Sequence, residues 1–178
     1  MKVALTGRPG IGKTTAVKKI VSLLRGKAKG FWTEEIRKNG KRWGFKVVRT
    51  DGREELLASV DAVSPFRVGK YGVLVEQFER FAVPFILEAI DEKKTVVVDE
   101  VGKMELLSEA FQRAVLRLID EDVSTLVTIP IKNVHPLVAR IRRSFQVIHL
   151  TLKNRDRIPY KVVKLMEARD GEKGEQEL

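Results

Sequence analysis

The chain has 178 residues, with 34 Lys and Arg against 24 Asp and Glu for a formal charge of +10. With 43% hydrophobic and 33% charged residues, it has the composition of one folded domain rather than a disordered polymer. No apolar run approaches the roughly 20 residues of a bilayer helix, and the absence of cysteine excludes disulfides, thiol catalysis and Cys-based zinc sites. The charge surplus points to anionic partners, from phosphates to nucleic acid. Amides are few: Asn39, Asn133, Asn154, Gln77, Gln112, Gln146 and Gln176. That bias, with abundant Lys, Glu and Arg, is the one reported for heat-adapted proteins.

In chain order, residues 2–6 (KVALT) form a short apolar run predicted as a buried strand, and its early start carries the expectation that no leader precedes it. A glycine-rich turn follows at 7–12. Residues 14–25 show helical spacing at Ala16, Val17, Ile20, Leu23 and Leu24, with Gly26 as a stop. Strand 31–37, the Asn39-Gly40 turn, strand 43–49, the Asp51-Gly52 turn and strand 54–58 predict an antiparallel meander. Residues 59–75 read as an irregular connection with one short strand. Residues 76–90 read as a helix that Pro84 should kink or split.

Residues 95–98 are a fully apolar strand ending in Asp99-Glu100. Ser108 can cap a helix with the stripe Phe111, Ala114, Val115, Leu118 and Ile119. Strand 125–129, a basic helix over 133–143, strand 145–150 and a helix from Asn154 through Met166 complete the pattern. The fold class is α/β, a mainly parallel sheet flanked by helices with an antiparallel meander. One domain is expected over 1–170, with 171–178 as a frayed tail.

Gly7, Arg8, Pro9, Gly10, Ile11, Gly12, Lys13 and Thr14, with Thr15 following, spell G-x-x-x-x-G-K-[ST] between a strand and a helix. The glycines let backbone N–H groups wrap an anion at a helix start, Lys13 reaches β/γ-phosphates, and the Thr14 hydroxyl is a Mg²⁺ ligand. This is the phosphate cradle of a P-loop NTPase. Asp99, at the carboxyl end of a buried strand, is placed to hold Mg²⁺ as a Walker B aspartate does. Glu100 beside it is placed to activate water.

GRPGIGKTT, FWTEEIR, DEVGKMEL, TIPIKNVHPLVARIRR and LTLKNRD occur in this order with short spacings. Together they resemble the small P-loop nucleoside-triphosphatase family known from thermophiles, which has a relative in animals called the cancer-related nucleoside-triphosphatase. The resemblance spans about residues 1–166. It implies slow hydrolysis of ATP, GTP and other nucleoside triphosphates to diphosphate and phosphate. It also implies two nucleotide-contacting stretches: the glycine-rich loop, and Val96, Val97, Val98, Asp99, Glu100, Val101, Gly102 and Lys103.

Other residues have both a functional and a bland reading. Thr128 ends a strand expected between the P-loop and Asp99 strands, where it would watch the γ-phosphate or serve only structure. Lys103 would neutralise phosphate charge or be a surface lysine. Arg140, Arg142 and Arg143 crowd one helix; Arg142 and Arg143 are candidates for an arginine acting in cis on the transferring phosphoryl group, against a solvated basic face. Asn154 and Arg155 could contact the base, or Asn154 could cap a helix. Of Glu34 and Glu35, strand alternation lets one face the crevice. Trp32, Trp43, Phe78, Phe81 and Phe85 are expected in the core, and His135 and His149 to be structural.

Three functions compete. A Mg²⁺-dependent triphosphatase uses water as acceptor; a small nucleotide or nucleoside kinase would use the 31–75 meander as an acceptor site; a nucleic-acid-linked switch would use the +10 charge, although no reading module is present. A cytoplasmic monomer with nucleoside triphosphates as partners and no membrane association is expected.

Overall fold

A computed structural model describes residues 1–176, with side chains described through residue 168. Among the described residues nine strands form one sheet ordered β5-β6-β4-β3-β2-β7-β8-β1-β9. The strands are β1 Lys2–Thr6, β2 Ala28–Lys38, β3 Lys41–Arg49, β4 Glu54–Ser59, β5 Arg67–Val68, β6 Tyr71–Val73, β7 Thr95–Val98, β8 Thr125–Ile129 and β9 Gln146–His149. The helices are α1 Lys13–Leu23, α2 Val75–Asp91, α3 Glu109–Asp120, α4 Pro136–Ser144 and α5 Ile158–Gln176.

The run β2-β7-β8-β1-β9 is parallel throughout, and β7 and β8 are buried along their whole length. Such strands are apolar end to end because helices cover both faces. Val3, Leu5, Val97, Leu126 and Ile148 face α1 and α5, while Ala4, Val96, Val98, Val127 and Ile129 face α2, α3 and α4. Close packing of β2 on β7 requires Gly30: a Cβ there would lie 1.9 Å from the Val97 carbonyl oxygen.

β2 pairs with β7 only from Ala28 to Phe31. Its remaining length continues as a hairpin with β3, turning through Asn39 and Gly40 at φ 52° and 73°. The hairpin therefore runs on past the end of the parallel strands and stands beside the crevice at their carboxyl ends.

Predicted elements differ in several places, β2 beginning at Ala28 rather than 31 and α4 at Pro136 rather than 133. Residues 59–75 hold two short strands, β5 and β6, paired with each other, and β6 also pairs with β4. Pro84 neither splits nor ends α2: it is exposed, so the N–H it lacks is missing on the watered side while Phe78, Ala82, Phe85, Ile86 and Ala89 bury the other side. α5 starts at Ile158 rather than Asn154, after a turn. The tail expected to fray, 171–178, has backbone within α5 up to Gln176; its side chains and residues 177–178 lie outside the described residues. Among the described residues no helix is long and apolar enough to cross a membrane. Trp32 and Trp43 are half-buried rather than core, donating their indole N–H to Glu34 at 3.0 Å and Asp61 at 2.7 Å.

Candidate active site

β1 delivers the chain to the glycine-rich loop, and Gly12 opens α1 from the left-handed region at φ 111°, a conformation a Cβ would strain. The first N–H groups of α1 thus point into the crevice without a side-chain cap, which suits an anion. Lys13 donates to the Gly7 carbonyl at 3.0 Å and lies 3.7 Å from Glu100 Oε2. Its charge is held over the loop between the phosphate cradle and the carboxylate.

Asp99 is 1% exposed, and its two oxygens are held from three strands or helices. Thr128 Oγ1 donates to Oδ1; Thr14 Oγ1 donates to Oδ2 at 2.7 Å, and the Thr33 N–H approaches Oδ2 at 3.4 Å. Burial pushes the Asp99 carboxyl above its ordinary value, and the bonds from Thr128, Thr14 and Thr33, with Lys13, pull it back. Because the Thr14 O–H is spent on Asp99, its lone pairs remain to coordinate a hard cation. An all-oxygen pair of this kind fits Mg²⁺.

Glu100 is raised too, by burial first, with Lys13 opposing and Asp99 adding to the rise. A third carboxyl was missed in the sequence. Glu105, in a 3₁₀ turn over Glu105–Leu107, is 5% exposed and sits well above the ordinary glutamate value because of burial and then Glu100. Gly102 separates the two: a Cβ there would meet Glu100 Oε1 at 3.0 Å and Glu105 Oε2 at 3.3 Å. The only sequence signal was an acid inside the apolar run Met104–Leu107.

The cavity above this floor has a volume of about 990 Å³. Gly7, Pro9, Gly10, Gly12, Lys13, Thr14, Thr15 and Glu100 border it, as do Thr33, Glu34, Glu35, Arg42 and Phe45 of the hairpin and residues 130–132 and 134 after β8. Both Glu34 and Glu35 reach it, against the alternation argument, because the hairpin stands at the cavity mouth. Both are already paired, Glu34 with Lys18 and Lys46, Glu35 with Arg37 and Arg42. Lys18 and Trp32 bonds hold Glu34 below its ordinary value despite the burial that pushes it up.

Other sequence-predicted residues are placed differently. Thr128 is 0% exposed and spends its hydroxyl on Asp99, so it positions that carboxylate and does not meet a phosphate. Val96, Val97, Val98 and Val101 are wholly buried; they carry the acidic pair on a rigid strand and present no surface to a nucleotide. Ile11 is buried as well, while Arg8 and Lys103 are exposed and border no part of the cavity. Arg142 donates to the Pro130 carbonyl at 2.6 Å, the Ile131 carbonyl at 2.9 Å and Asn133 Oδ1 at 3.0 Å, which clamps the loop after β8 instead of reaching the phosphates. Arg143 is exposed on the same helix.

Asn154 is likewise occupied. Its Oδ1 accepts from the Thr151 N–H at 2.8 Å, its own N–H donates to Thr151 Oγ1 at 3.2 Å, and Nδ2 donates to the His149 carbonyl at 2.9 Å. Arg155 crosses to the loop and donates to the Ile11 carbonyl at 3.2 Å. With Gly12, Thr15, Lys19, Pro159 and the half-exposed Tyr160 it lines a cleft of about 430 Å³ behind the loop.

The NTPase family model matches residues 2–163. Nucleoside-triphosphatase THEP1 of Aquifex aeolicus is 44% identical over 177 residues, spanning 94% of this chain and 99% of that protein; its Thermotoga maritima namesake is 42% identical, spanning 97% and 99%. The crystal structure of the Aquifex aeolicus protein is similar with a TM-score of 0.89 at 43% identity, covering 94% of this chain and 99% of that one. The solution structure of a human cancer-related nucleoside triphosphatase is similar with a TM-score of 0.78 at 34% identity, covering 94% and 97%.

Proposed function

The chain belongs to the NTPase family, and from that premise we propose that it hydrolyses nucleoside triphosphates, ATP and GTP among them, to the diphosphate and phosphate with Mg²⁺. The observation that carries the reading is the joining of Thr14, Asp99, Lys13 and Glu100 at one end of the parallel strands. Loop N–H groups and Lys13 bind and orient the phosphates. Thr14 and Asp99 would hold Mg²⁺, which when bound supplies positive charge to the phosphate oxygens. Glu100 holds water in line with the terminal phosphoryl group and receives its proton. Thr128 keeps Asp99 in position, and Arg155 with Tyr160 borders the base. The chemistry is positioning and electrostatic stabilisation, as phosphoryl transfer requires. A nucleotide substrate and a chain without cysteine fit a cytoplasmic enzyme.

Phosphate release measured over ATP, GTP, CTP and UTP, with and without Mg²⁺, tests the reading. Lys13→Ala should lose binding and turnover together, whereas Glu100→Gln should keep nucleotide binding and lose turnover. Wild-type rates in both variants would overturn it.

A further inference from the structure

Among the described residues, four cationic side chains border the active-site cavity: Lys13, Lys18, Arg42 and Lys132. Three of them are committed. Lys13 lies 3.7 Å from Glu100 and donates to the Gly7 carbonyl, Lys18 donates to Glu34 at 3.1 Å, and Arg42 lies 3.0 Å from Glu35. Lys132 is exposed, and among the described residues no carboxylate, carbonyl or aromatic ring holds its ammonium group.

The backbone around Lys132 is fixed. Arg142 donates to the carbonyl oxygens of Pro130 and Ile131 before it and to the Asn133 side chain after it. The Lys132 carbonyl itself accepts from the Val134 N–H at 2.9 Å. Both flanks are thus held while the side chain is left to the cavity, which is the arrangement of a preorganised charge. The loop leaves the carboxyl end of β8, the strand between β1, which leads into the P-loop, and β7, which leads into Asp99 and Glu100. The Val101 N–H donates to the Thr128 carbonyl at 3.0 Å, so the chain just past Glu100 is joined to the end of β8 shortly before Lys132.

Charge at this end of the sheet favours a further cation. Asp99 and Glu105 are buried beside Glu100, and Lys13 is the side-chain cation set against them. A triphosphate brought onto that floor can be met by Lys132 without breaking an ion pair, whereas Lys18 and Arg42 would each have to leave a glutamate. The gain is largest where charge redistributes over the phosphoryl and bridging oxygens as the bond breaks.

We propose that Lys132 is a catalytic residue, its ammonium group meeting the oxygens of the terminal phosphoryl group in the transition state, and that Arg142 is the positioning residue that sets it through the loop. This rests on the triphosphatase reading. The water oxygen forms a bond to Pγ as the bond between Pγ and the β,γ-bridging oxygen breaks. The water proton passes to the Glu100 carboxylate, and the nucleoside diphosphate leaves with the bridging electron pair. Lys132 keeps its proton throughout and acts by charge alone.

The test follows phosphate formation from ATP and Mg²⁺ in single turnover, with protein in excess so that product release does not contribute. Binding of a non-hydrolysable ATP analogue is measured by titration calorimetry, and Tm by differential scanning calorimetry. Lys132→Ala should slow phosphate formation by at least about tenfold, with analogue Kd within about threefold and Tm within about 2 °C. Lys132→Arg should recover part of the rate. Arg142→Ala should slow the wild-type protein but change the Lys132→Ala protein by less than about twofold, because the loop then has no charge to place. A Lys132→Ala rate within about twofold of wild type, or a loss carried by Kd alone, would overturn the catalytic role. Multiplying losses in the double variant would overturn the positioning role of Arg142. A wild-type protein that forms no phosphate would overturn the triphosphatase reading and this inference together.

Discussion

Thr128→Val is the perturbation whose outcome the geometry constrains most tightly. The substitution keeps the shape of a fully buried β8 side chain and deletes the hydroxyl that serves Asp99 Oδ1. The Thr14 hydroxyl and Thr33 N–H still address Oδ2, so one oxygen of a buried carboxylate loses its partner. A hydrogen bond to a charged group contributes about 1.5–3 kcal/mol, and exchanging a hydroxyl for a buried methyl returns about 0.8 kcal/mol. The net loss of about 1–2 kcal/mol corresponds to a Tm drop of about 2–8 °C for a chain of this size.

The pH dependence of that loss has a definite sign. Asp99 already titrates above the ordinary aspartate value of 3.8, so its stability deficit is absent below that value and grows as pH rises through the folded one. Losing the Thr128 bond raises Asp99 further and enlarges the deficit at neutral pH relative to acid. Differential scanning calorimetry from pH 4 to pH 8 would read it, with Thr128→Ser as the control that keeps the hydroxyl. In phosphate-release assays the Mg²⁺ concentration for half-maximal rate should rise by about tenfold. A Tm within about 1 °C of wild type at neutral pH, together with an unchanged Mg²⁺ requirement, would refute the positioning role of Thr128.

Glu105→Gln should raise Tm at and above neutral pH and flatten the fall in stability with rising pH, because burial, and then Glu100, raises the Glu105 carboxyl well above its ordinary value of 4.5, so that it costs stability as pH rises from 4.5 through the folded value; thermal melts across that range decide it, and an identical pH profile would count against it. Arg142→Ala should lower kcat through loosening of the loop after β8, with Arg142→Lys recovering only part, since Lys cannot serve three acceptors from one fork; Arg143→Ala should stay within about twofold of wild type, and equal losses in the two alanine variants would point to the basic face instead. Tyr160→Ala should weaken binding of all four common nucleoside triphosphates with kcat nearly unchanged, as loss of an aromatic wall beside the base cleft requires; titration calorimetry with each nucleotide checks it, and an effect confined to kcat would contradict it.

Local pattern was sufficient for much of this protein. The glycine loop between a buried strand and an amphipathic helix, the acidic pair closing an all-valine strand core, the Asn39-Gly40 hairpin and the Ser108 cap, whose hydroxyl accepts from the Phe111 N–H at 3.0 Å, are each written in a few consecutive residues. Such features depend on backbone conformations and periodicities that neighbours along the chain impose. Tertiary structure alone decided where individual polar groups are spent. Thr128 and Asp99 are 29 positions apart, and they meet because β8 inserts between β1 and β7. Glu105 is buried beside Glu100 because the 3₁₀ turn folds back under Gly102. Arg142 and Asn154 looked free for a nucleotide and are instead committed to a loop and a turn, since a buried or half-buried backbone acceptor captures whichever donor the fold brings within reach. The apolar rim of the active-site cavity has no sequence signature: Phe45 and Ile131 are ordinary apolar residues until β3 and the loop after β8 border one cavity. Pairing across strands depends on register and on sheet order, and neither is carried by the periodicity of a single segment.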